Sequence, residues 1–271
     1  MVYDIWHWHP DPEIIDGVIA TTALYYLAIG PGRSWLAPGK AYPWQKAICF
    51  ALGTLALLLA VVTPLDEISE TYLFSAHMLQ HIILIYPVAL FWLWGMPDWL
   101  LRPLVEMEWS RPLIRFFTIP LVAFLVFNGM FYVWHLPPLY EWALRDSKIH
   151  LLEHASFMVT AMLMWWPLVH PLPEMPRFHA GGQMLYLLAG SIVQMPLFGF
   201  LAFGETVFYP TYLHAPRLIG WLDPLADQQL GAVIMKISAM LVMFGALVVV
   251  FTRWYIKEES GRKKKLPAPS L

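Results

Sequence analysis

Two histidine pairs carry the first chemical signal in this chain. His77 and His81 lie four apart in SAHMLQHIILIYP, and His150 and His154 lie four apart in KIHLLEHASFMV. On a helix, residues i and i+4 share one face, about 6 Å apart along the axis. Each pair opens a long apolar run, so the two pairs are expected at similar depth in neighbouring helices. Imidazole suits copper, zinc, iron and nickel, and a thioether shifts the preference towards Cu(I). Met78 adjoins His77, and Met195 is expected in the matching half of the sixth apolar run. A histidine-rich, thiolate-free, methionine-flanked site reads as copper bound by His77, His81, His150 and His154. His135 is a candidate supporting residue, with Glu153 and Asp227 as acceptors that orient the imidazoles from behind. Asp227 could instead cap the last helix, which begins beside it.

Other chemistries compete for the same residues. His150, Glu153 and His154 also spell H-x-x-E-H, the inverted zincin pattern, in which two histidines hold zinc and the glutamate activates water. That reading leaves His77 and His81 unexplained. Haem ligation by facing histidines fits pairs at one depth less well, and the chain has no C-x-x-C-H. A purely structural role has to meet the cost of ionisable groups inside a bilayer.

The elements that position these residues are membrane helices. Of 271 residues, 59 % are hydrophobic and 13 % charged, where a soluble domain has about 25 % charged. The mean hydropathy is +0.56. Cys49 is the single cysteine, which excludes a disulfide or a thiolate cage and reads as a packing residue. Apolar runs near the ~20 residues a bilayer requires predict an all-α protein of seven spanning helices. They fall at about 13–30, 44–63, 71–95, 113–134, 149–170, 181–203 and 229–254. Pro87, Pro120 and Pro196 fall inside three of them and should kink them. The domain plan is one seven-helix unit over 1–256 and a basic tail over 257–271, expected to be disordered.

Loop charge sets the orientation. With the N-terminus outside, thirteen Lys and Arg fall on the cytoplasmic side and three outside, which predicts N-out and C-in. Eight of the ten histidines then lie on or near the outer face, including His7, His9 and His214, while His170 and His179 lie inside. The N-terminus has no Lys or Arg before its first apolar run, unlike a signal peptide. Lys236 is intramembrane and is expected to snorkel or to pair with Asp227 or Glu153. The loop 204–228 is long and aromatic, as lids and binding segments often are, and an interfacial surface is an equally good reading.

Several of these motifs occur together in a known family. SAHMLQH with its following proline and GMP, WHLPPLYEWAL, HLLEH with its WW, and DPLADQQLGAVIM stand in one order along the chain. Together they resemble the CtaG-like assembly factors of caa-type cytochrome c oxidases, from about the second helix through the seventh. The resemblance implies a seven-helix protein of the bacterial plasma membrane that matures the oxidase, delivering copper to its binuclear centre rather than acting as an enzyme. It implies oxidase subunits as partners, with a periplasmic or extracytoplasmic copper chaperone, and no nucleic acid. By motif, His77, His81, His135, His150, His154 and Asp227 are the matching positions. The chain departs at Lys236, where a tryptophan is expected after the methionine of the last helix. A zinc hydrolase using Glu153, and a metal-free chaperone for an oxidase subunit, stay as alternatives.

The orientation has a direct test. A reporter active only in the cytoplasm, fused after Leu271, should give signal, and the same reporter at the N-terminus should not. The reverse pattern would put every histidine on the wrong side.

Overall fold

The computed structural model describes residues 12–172, 174–175 and 178–265. His7 and His9, Arg177, and the last six residues of the tail lie outside them. The described residues are helical, with no strand among them. Helix α1 (Pro12–Ile29) and helix α2 (Trp44–Val61) are apolar runs of 18 residues each. Helix α3 (Pro64–Thr71) is short. Thr63 starts it by accepting from the Leu65 N–H, and Pro64 takes the first position, where a missing N–H costs nothing.

Helix α4 (Phe74–Gly95) carries the first histidine pair. It widens into a π turn at Leu84–Val88, around Pro87. Proline has no N–H for the regular ladder, and the wide turn absorbs that defect without a sharp kink. This helix is central: α2, α7 (Ser147–Val169) and α11 (Pro224–Lys265) all pack on it. Glycine permits one of the close approaches. A Cβ on Gly231 of α11 would fall 2.5 Å from Phe74 Cδ1, so only a residue without one fits.

Between them, α5 (Pro120–Trp134) and α6 (Pro137–Arg145) lead into α7, whose N-cap Asp146 accepts from the Lys148 and Ile149 N–H groups. Helix α8 (Ala180–Val193) and helix α9 (Met195–Ala202) form a broken pair, and α10 (Pro210–His214) lies in the long loop before α11.

Five helices are long and apolar enough to cross a membrane, and six if the pair Arg111–Phe117 and Pro120–Trp134 counts as one span bent by 75°. The chain is thus a multi-pass membrane protein. Helix α7 is not among the five. It has 23 residues, but His150, Glu153 and His154 lower the apolarity of its first half. The span expected at 113–134 does bend at Pro120, by 75°, but as a break at which Pro120 starts a second helix. The tail is also more ordered than expected, because α11 stays helical to Lys265.

The break between α8 and α9 explains Lys236. Pro196 cannot donate to the ladder, so carbonyls near Gln194 need other partners. Lys236 Nζ donates to the Ser191 carbonyl at 2.7 Å, and the Tyr132 hydroxyl to that of Val193 at 2.6 Å. The expected pairing of Lys236 with Asp227 or Glu153 is not what forms. A nearer carbonyl takes the cation.

Gly231→Leu should force α11 away from Phe74 and cost about 1–3 kcal/mol, the usual penalty for overpacking. Thermal unfolding in detergent measures it, and an unchanged midpoint would mean the approach is looser than the geometry says.

Candidate metal centre

The two histidine pairs meet. Helix α7, capped by Asp146, starts three residues before His150, and α4, capped by Asp227, starts three residues before His77, so both helices leave the site in the same direction. Their first turns face each other. The His77 ring lies 5.6 Å from that of His150 and 6.1 Å from that of His154, and the His81 ring 5.4 Å from that of His154. Ligand atoms of His77, His150, Glu153 and His154 all lie within 4.8 Å of one another. Atoms bound to one ion at about 2 Å are at most about 4 Å apart, so small side-chain shifts would close this set. His81 adjoins it through Nε2, 2.9 Å from His77 Nε2 and 3.6 Å from Glu153 Oε1. Glu153 therefore stands among the donor atoms rather than behind them.

Burial makes the arrangement informative. All four histidines, His135 and Glu153 are buried. Among the described residues, twelve buried side-chain nitrogen or oxygen atoms have no hydrogen-bond partner, and seven belong here. They are His77 Nδ1, His81 Nδ1, His135 Nε2, His150 Nε2, His154 Nε2 and both Glu153 oxygens. An unpaired buried polar atom costs about 1–3 kcal/mol, and seven of the twelve gather in this one place.

Two tautomers follow from the partners outside the cluster. His150 Nδ1 lies 2.6 Å from Glu70 Oε1, and His135 Nδ1 lies 2.7 Å from the Phe131 carbonyl oxygen. Each Nδ1–H donates outward, which leaves the Nε2 lone pair as the free ligand atom. Histidine ligands of metals are commonly held this way, with a carboxylate or carbonyl on the far nitrogen. His135 joins through its ring, 6.1 Å from that of His81. Below the cluster, Phe157 and Phe131 pack on His81 and His135 at 4.7 and 4.5 Å.

Tyrosines roof the site. Tyr140 of α6 lies 5.0 Å from His77, ring to ring, and 4.1 Å from Tyr209. The Tyr209 hydroxyl donates to the His135 carbonyl, and that of Tyr212 to the Ser69 carbonyl. The roof is tied down where Glu141 accepts from the Thr211 N–H and hydroxyl at 3.0 and 2.9 Å. The loop 204–228 is thus a cover, as its length suggested.

Two expected supporters act elsewhere. Asp227 orients no histidine and does not cap its own helix. Its carboxylate accepts from the Phe74 and Ser75 N–H groups at 2.7 and 3.2 Å, which caps α4, the helix of the first pair. The same motif continues to work: Gln228 accepts from the Phe208 N–H, and Gln229 donates to the Gly204 carbonyl. Met195 is 49 % exposed and contributes nothing to a buried cluster, while Met78 packs against Gly231 of α11. His214 is exposed, on the surface of the cover.

Glu70, Tyr140, Tyr209 and Tyr212 are the residues that sequence reasoning missed. The signal for Glu70 was present as the acidic, amphipathic PLDEISET just before SAHMLQH. Gln80 ties that helix down, donating to Asp66 Oδ1 and to the Ala60 carbonyl and accepting from the Ser69 hydroxyl. Burial, and then Glu70, push the Asp66 carboxyl up to about 7.

Comparison with known proteins follows the same residues. A family model described as "Cytochrome c oxidase caa3 assembly factor" matches residues 23–257. Two curated relatives, the uncharacterized protein Mb0105 of Mycobacterium bovis and the uncharacterized protein MT0111 of Mycobacterium tuberculosis, are 24 % identical over 251 residues. Each alignment takes in 84 % of this chain, which spans about 37 % of those relatives' length. No solved structure matches the chain.

Asp227→Ala should leave the Phe74 and Ser75 N–H groups buried without an acceptor, at a cost of about 1–3 kcal/mol. Hydrogen exchange should speed up in the first turn of α4 ahead of the rest of that helix. Unchanged protection there would remove the capping role.

Proposed function

The chain belongs to the cytochrome c oxidase caa3 assembly factor family, and on that footing we propose that it binds copper as cargo and hands it to an oxidase subunit. His77, His150, His154 and Glu153 hold the ion, with His81 and His135 as the donors that exchange onto it during loading and release. The observation that carries this reading is the set of seven unpartnered donor atoms in one buried cluster. A cation there would give a partner to the donor atoms of His77, His150, Glu153 and His154, which lie within 4.8 Å of one another. The nitrogen and oxygen donors also bear on the metal. With Met195 exposed, the thioether argument for Cu(I) falls away, but imidazole still suits copper, and divalent copper binds such sites more tightly than zinc.

In the same proposal α7 and the bent pair complete seven spans, with the N-terminus outside and the C-terminus in the cytoplasm of a bacterial cell. Residues 1–256 form the membrane unit and 257–271 its cytoplasmic extension. The cluster then opens to the outer face through the tyrosine cover, on the side where a periplasmic or extracytoplasmic copper chaperone would deliver. A carrier has to release as well as bind, and no catalysis is required of it. Zinc hydrolysis is the second reading, favoured by one observation: Glu153 lies among the donors with both oxygens free of hydrogen bonds.

One series of variants separates these readings. His81→Ala and His154→Ala should each lower copper affinity, and the double variant should depart from additivity by more than the roughly 0.3–0.5 kcal/mol seen between independent sites. Additive losses of one ion each would mean two sites. A wild type that purifies without metal and binds none when offered copper would leave a metal-free chaperone. Glu153→Gln should weaken copper binding, whereas a variant with full metal content and no function would favour the hydrolase, whose base the glutamate would be.

A further inference from the structure

Two clefts of opposite character adjoin at the end of the bundle away from the histidine cluster. The first, about 710 Å³, lies between the C-terminus of α7, the N-terminus of α8 and the far half of α11. His170, His179, Arg253 and Lys257 line it, with Glu258 as the opposing charge and Trp254 beside them. The second, about 740 Å³, is apolar and runs between α5 and α8 past Ile119, Leu121, Phe124, Leu185 and Ala189. Phe178, His179 and Gly181 line both clefts, which therefore share a wall at the start of α8.

The shared wall is low and carries a donor. A Cβ added to Gly181 would meet only His179, at 3.7 Å, so the glycine leaves room on either side. His179 Nδ1 accepts from the Gly182 N–H at 2.9 Å. The neutral ring therefore keeps its proton on Nε2, which remains a donor. His170, at the C-cap of α7, has φ 50°, the one positive φ outside glycine among the described residues. Glycine or asparagine is the usual residue at such a cap.

We propose that the paired clefts hold one anionic phospholipid. Its phosphate lies against Arg253, Lys257 and His179, and one acyl chain follows the groove between α5 and α8. Two fixed cations against a single carboxylate give the first cleft the right charge, and basic pockets between membrane helices are known to take anionic headgroups. Trp254 suits the headgroup level of a bilayer. A soluble phosphate would use the first cleft only, and the apolar cleft across the wall is what selects a lipid. Under the orientation proposed above, this is a lipid of the cytoplasmic leaflet. The inference is independent of the metal reading.

Native mass spectrometry of the detergent-purified chain, titrated with phosphatidylglycerol or phosphatidylcholine, tests it. The wild type should retain phosphatidylglycerol in preference to phosphatidylcholine. The double variant Arg253→Ala/Lys257→Ala should bind it more weakly, on the order of 10-fold. Gly181→Leu, which fills the shared wall and keeps both cations, should lose it as well. Arg111→Ala, which removes a charge outside either cleft, should change nothing. Equal retention of both lipids would overturn the proposal, as would wild-type binding by the double variant. Displacement of the lipid by inorganic phosphate at matched concentration would make it a soluble-anion site and overturn it too. The double variant alters exposed side chains and leaves the fold intact, so it stands as an arm even if Gly181→Leu destabilises α8.

Discussion

Burying polar atoms without partners is the constraint on which this structure turns. Five imidazoles and a carboxylate sit at one end of an apolar bundle with seven donor or acceptor atoms unmatched. Their combined desolvation would oppose folding on its own, since each such atom costs about 1–3 kcal/mol. The bundle holds the cluster together from several sides at once. Phenylalanines floor it, tyrosines roof it, and three carboxylates outside it fix the helices and rings that supply it. Glu70 sets the His150 tautomer, Asp227 caps the helix bearing His77, and Glu141 ties the cover to α6. Glu70 does this by bonding a cluster residue directly, at His150 Nδ1. The polar atoms inside are left free while the helix ends and the cover around them are tied down.

The fixing interactions are mostly long-range, which decides what could be read from the sequence. The histidine pairs were legible because helical periodicity is local: four residues make one turn wherever the helix goes. Glu153 was legible for the same reason, though not its rank, since whether a carboxylate stands among ligands or behind them depends on the neighbouring helix. Asp227 lies 153 residues from the N–H it caps, and no periodicity links the two. Tyr209 and Tyr212 reach the site only because a loop folds back, and aromatic residues in a loop carry no phase. The Met195 expectation failed at the helix break. Gln194 separates α8 from α9 there, and depth along a run does not say which face a side chain takes: Met195 is 49 % exposed.

Span counting shows the same conflict from the other direction. The helix that contributes most to the cluster, α7, is the one whose polar load keeps it out of the strictly apolar set. Hydropathy measures a residue as though lipid surrounded it, and His150, Glu153 and His154 instead face other helices. The family match, over residues 23–257, includes this region.

The π turn in α4 has a consequence for how the helix can vary. A turn with one residue more than an α-helical turn rotates everything beyond it by about 100° relative to everything before it. His77 and His81 lie before Leu84–Val88, and Ala89 and Leu93, which pack in the core, lie after it. The wide turn thus uncouples the two halves of one rod. An insertion or deletion confined to those five residues would swing the histidines around the axis while the lower half kept its neighbours. Length polymorphism at this one place is therefore a route by which related chains could re-aim the ligands, or lose them, without rebuilding the bundle.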